Sequence, residues 1–155
     1  MKGHPDVIQL LNDVLCAELT AINQYFIHAR MLQHDRYMRL GKHAQEESIG
    51  EMKHAQLAID RILYLEGVPN MQKYMKINVG QTVPEMFQFD LAVEHDAVER
   101  LNKGVELCRT HGDNGTRLLL EEILKSEEEH IDWIEAQQTQ IQELGLPNYL
   151  AQQLE

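Results

Sequence analysis

The sequence predicts an all-α fold: a four-helix bundle with one long crossover connection and a short fifth helix at its end. Three observations carry this. Four stretches of roughly 30 residues repeat apolar or small side chains every three or four positions, the spacing of one helix face. Turn-forming clusters stand between or after them, at Gly67, Pro69 and Asn70, at Gly112 to Gly115, and at Gly145. Finally, Glu18, Glu51 and His54 are matched by Glu94, Glu127 and His130, each 76 positions later. Each half therefore carries a Glu and then, 33 positions on, a Glu-x-x-His.

The first helix opens at Pro5 and Asp6 and runs to about His34, with Leu11, Val14, Ile22, Tyr25, Ala29 and Leu32 on one face and Glu18 inside that stripe. The second runs from about Met38 to Glu66, where Ala44, Glu47, Glu51, His54, Ala58, Ile62 and Leu65 share a face. Three residues able to bind metal, Glu47, Glu51 and His54, thus occupy positions that should be apolar. The third begins with the capping-box pattern Thr82-x-x-Glu85, tolerates Pro84 in its first turn, carries Phe87, Leu91, Glu94, Val98, Leu101, Val105 and Cys108, and ends near Thr110. The fourth runs from about Thr116 to Leu144 and aligns Leu120, Ile123, Glu127, His130, Ile134, Ile141 and Leu144. Pro147 then starts the fifth, Asn148 to Leu154.

In a helical hairpin, residues equidistant from the turn sit at one height. The turn between His34 and Asp35 lies midway between Glu18 and Glu51, and the turn near Thr110 lies midway between Glu94 and Glu127. Residues 67–81 are too long for a hairpin loop. About 15 extended residues reach ~50 Å, enough to run back along a helix of ~28 residues, which is ~42 Å long. The second and third helices are then parallel.

The chain of 155 residues, 43% hydrophobic, is the length of one domain, expected over residues 1–155. Its formal charge of -11 repels phosphate backbones and anionic lipid and favours cations, so neither nucleic acid nor a membrane surface is an expected partner. No apolar run approaches the ~18 residues of a membrane span, and the N-terminus carries no apolar signal region, so a cytoplasmic location is expected. Cys16 and Cys108 form no Cys-x-x-Cys pair and read as reduced, inert helix residues.

A lone Glu-x-x-His is weak evidence, since 17 Glu and 8 His in this chain give about one by accident. The duplication is what is specific. Four carboxylates in one core would cost several kcal/mol each or take up protons, and two divalent cations remove that cost, because +4 meets four ionised Glu with both His neutral. Oxygen donors with two imidazoles and no thiolate suit iron or manganese, though zinc would bind at least as tightly. The competing reading is a structural bundle in which Glu–His pairs are merely hydrogen-bonded. Glu47 shares the ligand face, but Ile123 stands at its repeat position, so Glu47 is read as supporting a ligand or lining a cavity.

With this set in view, the chain closely resembles the bacterioferritins, the haem-containing branch of the ferritin family. The likeness runs through Met1-Lys2-Gly3, Ala21 to Phe26, Glu47-Ser48-Ile49, Glu51-Met52-Lys53-His54-Ala55, Arg61-Ile62-Leu63, Leu65-Glu66-Gly67, Glu128 to Trp133 and Asn148-Tyr149-Leu150. The known rule for ferritin-like carboxylate proteins, one Glu from each of two helices and Glu-x-x-His from each of the others, is applied to this pattern rather than discovered in it.

The resemblance implies a ferritin-like bundle in which Glu51 and Glu127 bridge two irons, Glu18 and His54 complete one, and Glu94 and His130 the other. It also implies oxidation of Fe(II) by dioxygen or hydrogen peroxide, with ferric mineral held in a 24-subunit shell. Further implications are haem b between two-fold related subunits on the sulfur of Met52, a homo-oligomeric shell with or without a second subunit type, and a ferredoxin-type reductant for iron release. A di-iron peroxidase or oxygenase without storage is the alternative function. Met52 points about 100° from Glu51, toward an expected second apolar stripe of Leu19, Ile22, Phe26, Ile49 and Ile59. Tyr25 and Trp133 could supply electrons. The chain departs from many bacterioferritins at Gln45, Glu46 and Gly50, where Tyr, His and Asp are common, at Asp35-Arg36-Tyr37, and at Asn114 to Arg117.

Overall fold

The computed structural model describes residues 1–155 and contains five helices and no strand: α1 (Pro5–His34), α2 (Met38–Tyr64), α3 (Val83–Thr110), α4 (Asn114–Leu144) and α5 (Leu146–Ala151). None is long and apolar enough to cross a membrane. The four long helices match the sequence reading to within two residues at each end, and the differences have local causes.

α2 stops before Glu66 because Glu66 itself takes the left-handed conformation, φ +63°. Its N–H then bonds Leu63 O at 3.1 Å and that of Gly67 bonds Ile62 O at 2.8 Å, which closes the helix as a Schellman turn. Gly67 is needed for proximity, since a Cβ there would lie 2.7 Å from Ile8 Cγ2. α4 begins at Asn114 rather than Thr116 because Asp113 Oδ1 accepts from Thr116 N at 2.9 Å and caps the helix. At α3, Thr82 Oγ1 accepts from Glu85 N at 3.3 Å, but Glu85 Oε2 accepts from Gln81 N, one residue before the partner a capping box uses.

α5 is shorter and earlier than expected. Leu146 and Pro147 form its first turn, and Gln152 and Gln153 close it by bonding back to Tyr149 and Leu150. Buried Tyr149 anchors it and donates to Gln137 Oε1 at 2.7 Å. Leu144, expected on the inner face of α4, is exposed because the chain turns away at Gly145.

The crossover is strapped to α1 by side chains. Asn12, Thr20, Gln24 and His28 stand on one face at spacings of eight and four. Asn12 Oδ1 accepts from Asn70 N (2.8 Å), Thr20 Oγ1 from Met75 N (2.9 Å), Gln24 Oε1 from Asn78 N (3.1 Å) and His28 Nε2 from Gly80 N (2.9 Å). A segment without helix or strand thus satisfies its backbone donors on a helix. The strap travels along α1 in the same direction, so α3 starts where α1 ends and lies parallel to α2. The last rung is fixed from below: His28 Nδ1 and Gln24 Nε2 both lie on Asp90 Oδ1, at 3.0 and 2.8 Å.

Arg61 ties the end of α2 to the turn before α4. Its Nη2 donates to Asp113 Oδ1 at 2.8 Å and its Nε to Thr116 Oγ1 at 2.9 Å. Burial alone would raise the Asp113 carboxyl, but hydrogen bonds from Thr116 and Arg61 outweigh it and hold the group below its usual range. A folded-state value below the unfolded one means stability that is present at neutral pH and lost as the pH falls through the folded value. Asp113→Ala is therefore expected to cost about 2 kcal/mol at neutral pH, through the lost cap and the unpaired Arg61. The difference from wild type should shrink below about pH 4. Urea unfolding at the two pH values measures it.

The core is divided. One cluster of 14 buried residues, including Leu11, Leu15, Ile62, Leu101 and Ile123, fills one end of the bundle. Another of 9, including Leu32, Leu40, Phe87 and Tyr149, fills the other. Between them lies a belt of buried polar side chains.

Candidate metal centre

Each long helix crosses the belt once and contributes to it: Glu18 from α1, Glu51 and His54 from α2, Glu94 from α3, Glu127 and His130 from α4. Spacing by three puts the Glu and His of each motif on one helical face. The carboxylates are 4%, 1%, 0% and 1% exposed in that order along Glu18, Glu51, Glu94 and Glu127, which no isolated charge tolerates. The two histidines are half-buried.

The six side chains form two overlapping groups, Glu18, Glu51, His54 and Glu127, and Glu51, Glu94, Glu127 and His130, each with its donor atoms within 4.8 Å of one another. His54 Nδ1 lies 2.9 Å from Glu51 Oε2, 3.0 Å from Glu127 Oε1 and 3.8 Å from Glu18 Oε2. His130 Nδ1 lies 3.4 Å from Glu94 Oε1, 3.6 Å from Glu127 Oε2 and 3.7 Å from Glu51 Oε1. Glu51 and Glu127 thus turn one oxygen toward each group. That division is what a carboxylate does when it spans two cations.

The electrostatics of the bare protein fit the same reading. Burial raises the Glu18 and Glu127 carboxyls, lifts Glu94 to about 8 and pushes Glu51 well up. Burial would lower His54, yet the carboxyl groups of Glu127, Glu18 and Glu51 around it take it up to about 12. Without cations, protons must do the neutralising. Even so, Glu47 Oε2, Glu94 Oε2 and both oxygens of Glu127 are buried with no hydrogen-bond donor, the 3.0 Å approach of Glu127 Oε1 to His54 Nδ1 being poorly aligned for one. Orphaned acceptors that converge on one space, with two imidazoles and no thiolate, fit hard or borderline divalent cations.

Comparison with known proteins gives the same direction. Residues 8–144 match the family model described as a ferritin-like domain. The bacterioferritin of Streptomyces coelicolor is 46% identical over 155 residues, 100% of this chain and 93% of its own length. The bacterioferritin of Mycobacterium bovis is 46% identical over 98% of this chain and 96% of its own, and that of Brucella melitensis 43% over 96% and 92%. The chain belongs to the bacterioferritin family.

Two contacts surround the bacterioferritin-type cluster, one from Glu47, which the sequence marks as supporting a ligand or lining a cavity, and one from Tyr25, whose hydrogen bond was not legible in the sequence. Tyr25 OH donates to Glu94 Oε1 at 2.5 Å, and Glu47 Oε2 meets the Nε2 edge of His130, the edge that faces away from the six donors. Burial pushes Glu47 up to about 7, although His130 and His54 pull the other way. Glu47 Oε1 also approaches His43 Nε2 at 3.5 Å, and the His43 ring stacks on Trp133 with centroids 3.5 Å apart. A small cavity of about 20 Å³ adjoins this side, lined by Tyr25, His43, Glu47, Phe87, His130 and Trp133 among others.

In this bacterioferritin-family chain the stripe expected around Met52 divides. Leu19 is buried in the core, and Ile22 and Ile59 pack partly against it. Phe26, Ile49 and Met52 remain exposed, at 56%, 45% and 55%. Cys16 and Cys108 are free and buried, and burial pushes the Cys108 thiol up to about 11.

Proposed function

We propose that the chain stores iron and oxidises Fe(II) at a dinuclear site in which Glu51 and Glu127 bridge, Glu18 and His54 complete one position, and Glu94 and His130 the other. The observation that carries this reading is the split of the Glu51 and Glu127 oxygens between the two groups. Two Fe(II) ions match the four carboxylates in charge. Each ion gives up one electron. Dioxygen takes up the two electrons with two protons and leaves as hydrogen peroxide, or hydrogen peroxide takes them up with two protons and leaves as water. The pair of ions then carries +6 against four negative charges, an excess that favours hydrolysis and departure of ferric ion to a mineral.

The cavity beside His130, about 20 Å³, has room for a diatomic or water-sized molecule, the size of the oxidant; a peroxidase or oxygenase acting on an organic compound is the alternative. Membership of the bacterioferritins supports a shell of 24 single-domain subunits (residues 1–155), in the cytoplasm, emptied by a ferredoxin-type reductant, with or without a second subunit type. Met52, exposed together with Phe26 and Ile49, would hold the iron of a haem b shared by two subunits through its thioether sulfur. Haem would supply electron transfer between the shell exterior and stored iron.

Anaerobic Fe(II) titration followed by oxygen tests the reading. Two irons oxidised rapidly per chain are expected, in an assembly of 24 chains of 18.0 kDa, about 432 kDa in all. Absence of Fe(II) uptake would leave only a helical scaffold. A dimer that oxidises an organic substrate would favour the alternative.

A further inference from the structure

The two halves of the site repeat in their six donors but not in what surrounds them. Tyr25, which donates to Glu94, has Leu101 as its counterpart 76 positions later. Glu47, which meets His130, has Ile123. Leu101 and Ile123 are buried in the apolar cluster at one end of the bundle and offer no hydrogen bond. Glu18 and His54 accordingly have no protein partner outside the six: the contacts of His54 are made by Nδ1, to Glu51, Glu127 and Glu18, and none is made by its Nε2 edge.

We propose that the two metal positions are unequal, the one completed by Glu94 and His130 filling first and holding its ion tighter, with Tyr25 and Glu47 as its positioning residues. This rests on the dinuclear reading above and adds an order to it. The physical reason lies in the outer contacts. Glu47 Oε2 stands against the Nε2 edge of His130, which leaves the Nδ1 edge to face the cation and limits the movement of the ring. Tyr25 does the same for the Glu94 carboxylate, donating to Oε1 while Oε2 is left without a donor. On the other side, Glu18 and His54 must be ordered by the ion itself. Partners of this kind change metal affinity about 10–100-fold, so at least a tenfold difference between positions is expected.

Co(II), added anaerobically to the intact protein as a probe that oxygen chemistry does not consume, reads this directly. Crystals equilibrated with one Co(II) per chain, measured by anomalous scattering at the cobalt edge, are expected to show the Glu94/His130 position at least about three times the fuller, the occupancy ratio that a tenfold difference in affinity gives when one ion is shared between two independent positions. Glu47→Ile with Tyr25→Phe makes the two halves alike and should equalise the occupancies while the total stays at two Co(II) per chain. Glu47→Gln, which keeps an acceptor oxygen, should retain part of the preference, an outcome that a purely structural role would not produce. Equal filling in the wild type, preference for the Glu18/His54 position, or a preference unchanged in the double variant overturns the inequality. If the double variant fails to fold, the wild-type occupancies still decide. Failure to bind Co(II) at either position overturns both this and the dinuclear reading, whereas two equally filled positions overturn the inequality alone.

Discussion

Glu127→Ala is expected to abolish rapid Fe(II) oxidation, lowering the initial rate roughly a hundredfold or more. Both oxygens of Glu127 are committed, Oε1 beside His54 and Oε2 beside His130, so its loss strips a donor from both positions at once. Glu51→Ala should behave alike for the same reason. Glu18→Ala, which touches one group only, should still bind a single ion at the other. Stopped-flow oxidation with the iron-to-chain ratio varied distinguishes these patterns, and wild-type kinetics in Glu127→Ala would refute the assignment. The same substitution is expected to leave the metal-free protein at least as stable as the wild type. Glu127 is buried with both oxygens lacking a donor, and removing such a group relieves about 1–3 kcal/mol. Function and stability are opposed at this residue.

Gly80→Ala is expected to be the most damaging single-methyl addition in the chain, costing about 3 kcal/mol and lowering the midpoint of thermal unfolding by roughly 6–12 °C. A Cβ at Gly80 would stand 2.4 Å from Met86 N, 2.7 Å from Met86 Cα and 2.8 Å from Glu85 C. These are backbone atoms in the first turns of α3 and cannot swing aside. Displacing them also pulls Gly80 N from His28 Nε2 and loosens the last rung of the strap. Gly50→Ala is the contrasting case. It lies within α2 with nothing within 4 Å of the added carbon, so the methyl should stabilise the helix by about 1 kcal/mol. Calorimetry of the two variants side by side checks both signs.

The six donors were legible because duplication left the same residues at the same offset twice, a pattern that chance spacing does not produce. The long helices were legible because apolar periodicity and turn residues agreed. What escaped has a common character: it is whatever the repeat does not repeat. Tyr25 has an apolar counterpart in Leu101, so a search for symmetry passes over it; Glu47, opposite Ile123, reads as supporting a ligand or lining a cavity but not as the neighbour of His130. The strap escaped for another reason. Asn12, Thr20, Gln24 and His28 look like ordinary polar residues until a segment more than 50 positions later presents its N–H groups to them. Polar acceptors at multiples of four on one helix face, ahead of a long aperiodic segment, are the signal that could have revealed it. Glu66, not Gly67, adopts the left-handed turn at the end of α2, because a left-handed glycine is a preference and the helix register chose its neighbour.

The divided core makes each subunit, mechanically, two short bundles set end to end with a joint at mid-span. No continuous spine of apolar contact crosses that joint; charged groups that resist burial do. On the proposed dinuclear reading, cations seated there act as rivets, and ligation at a hundred times the dissociation constant adds about 2.7 kcal/mol to the folded state. Chelation should therefore loosen the middle of the subunit before either end.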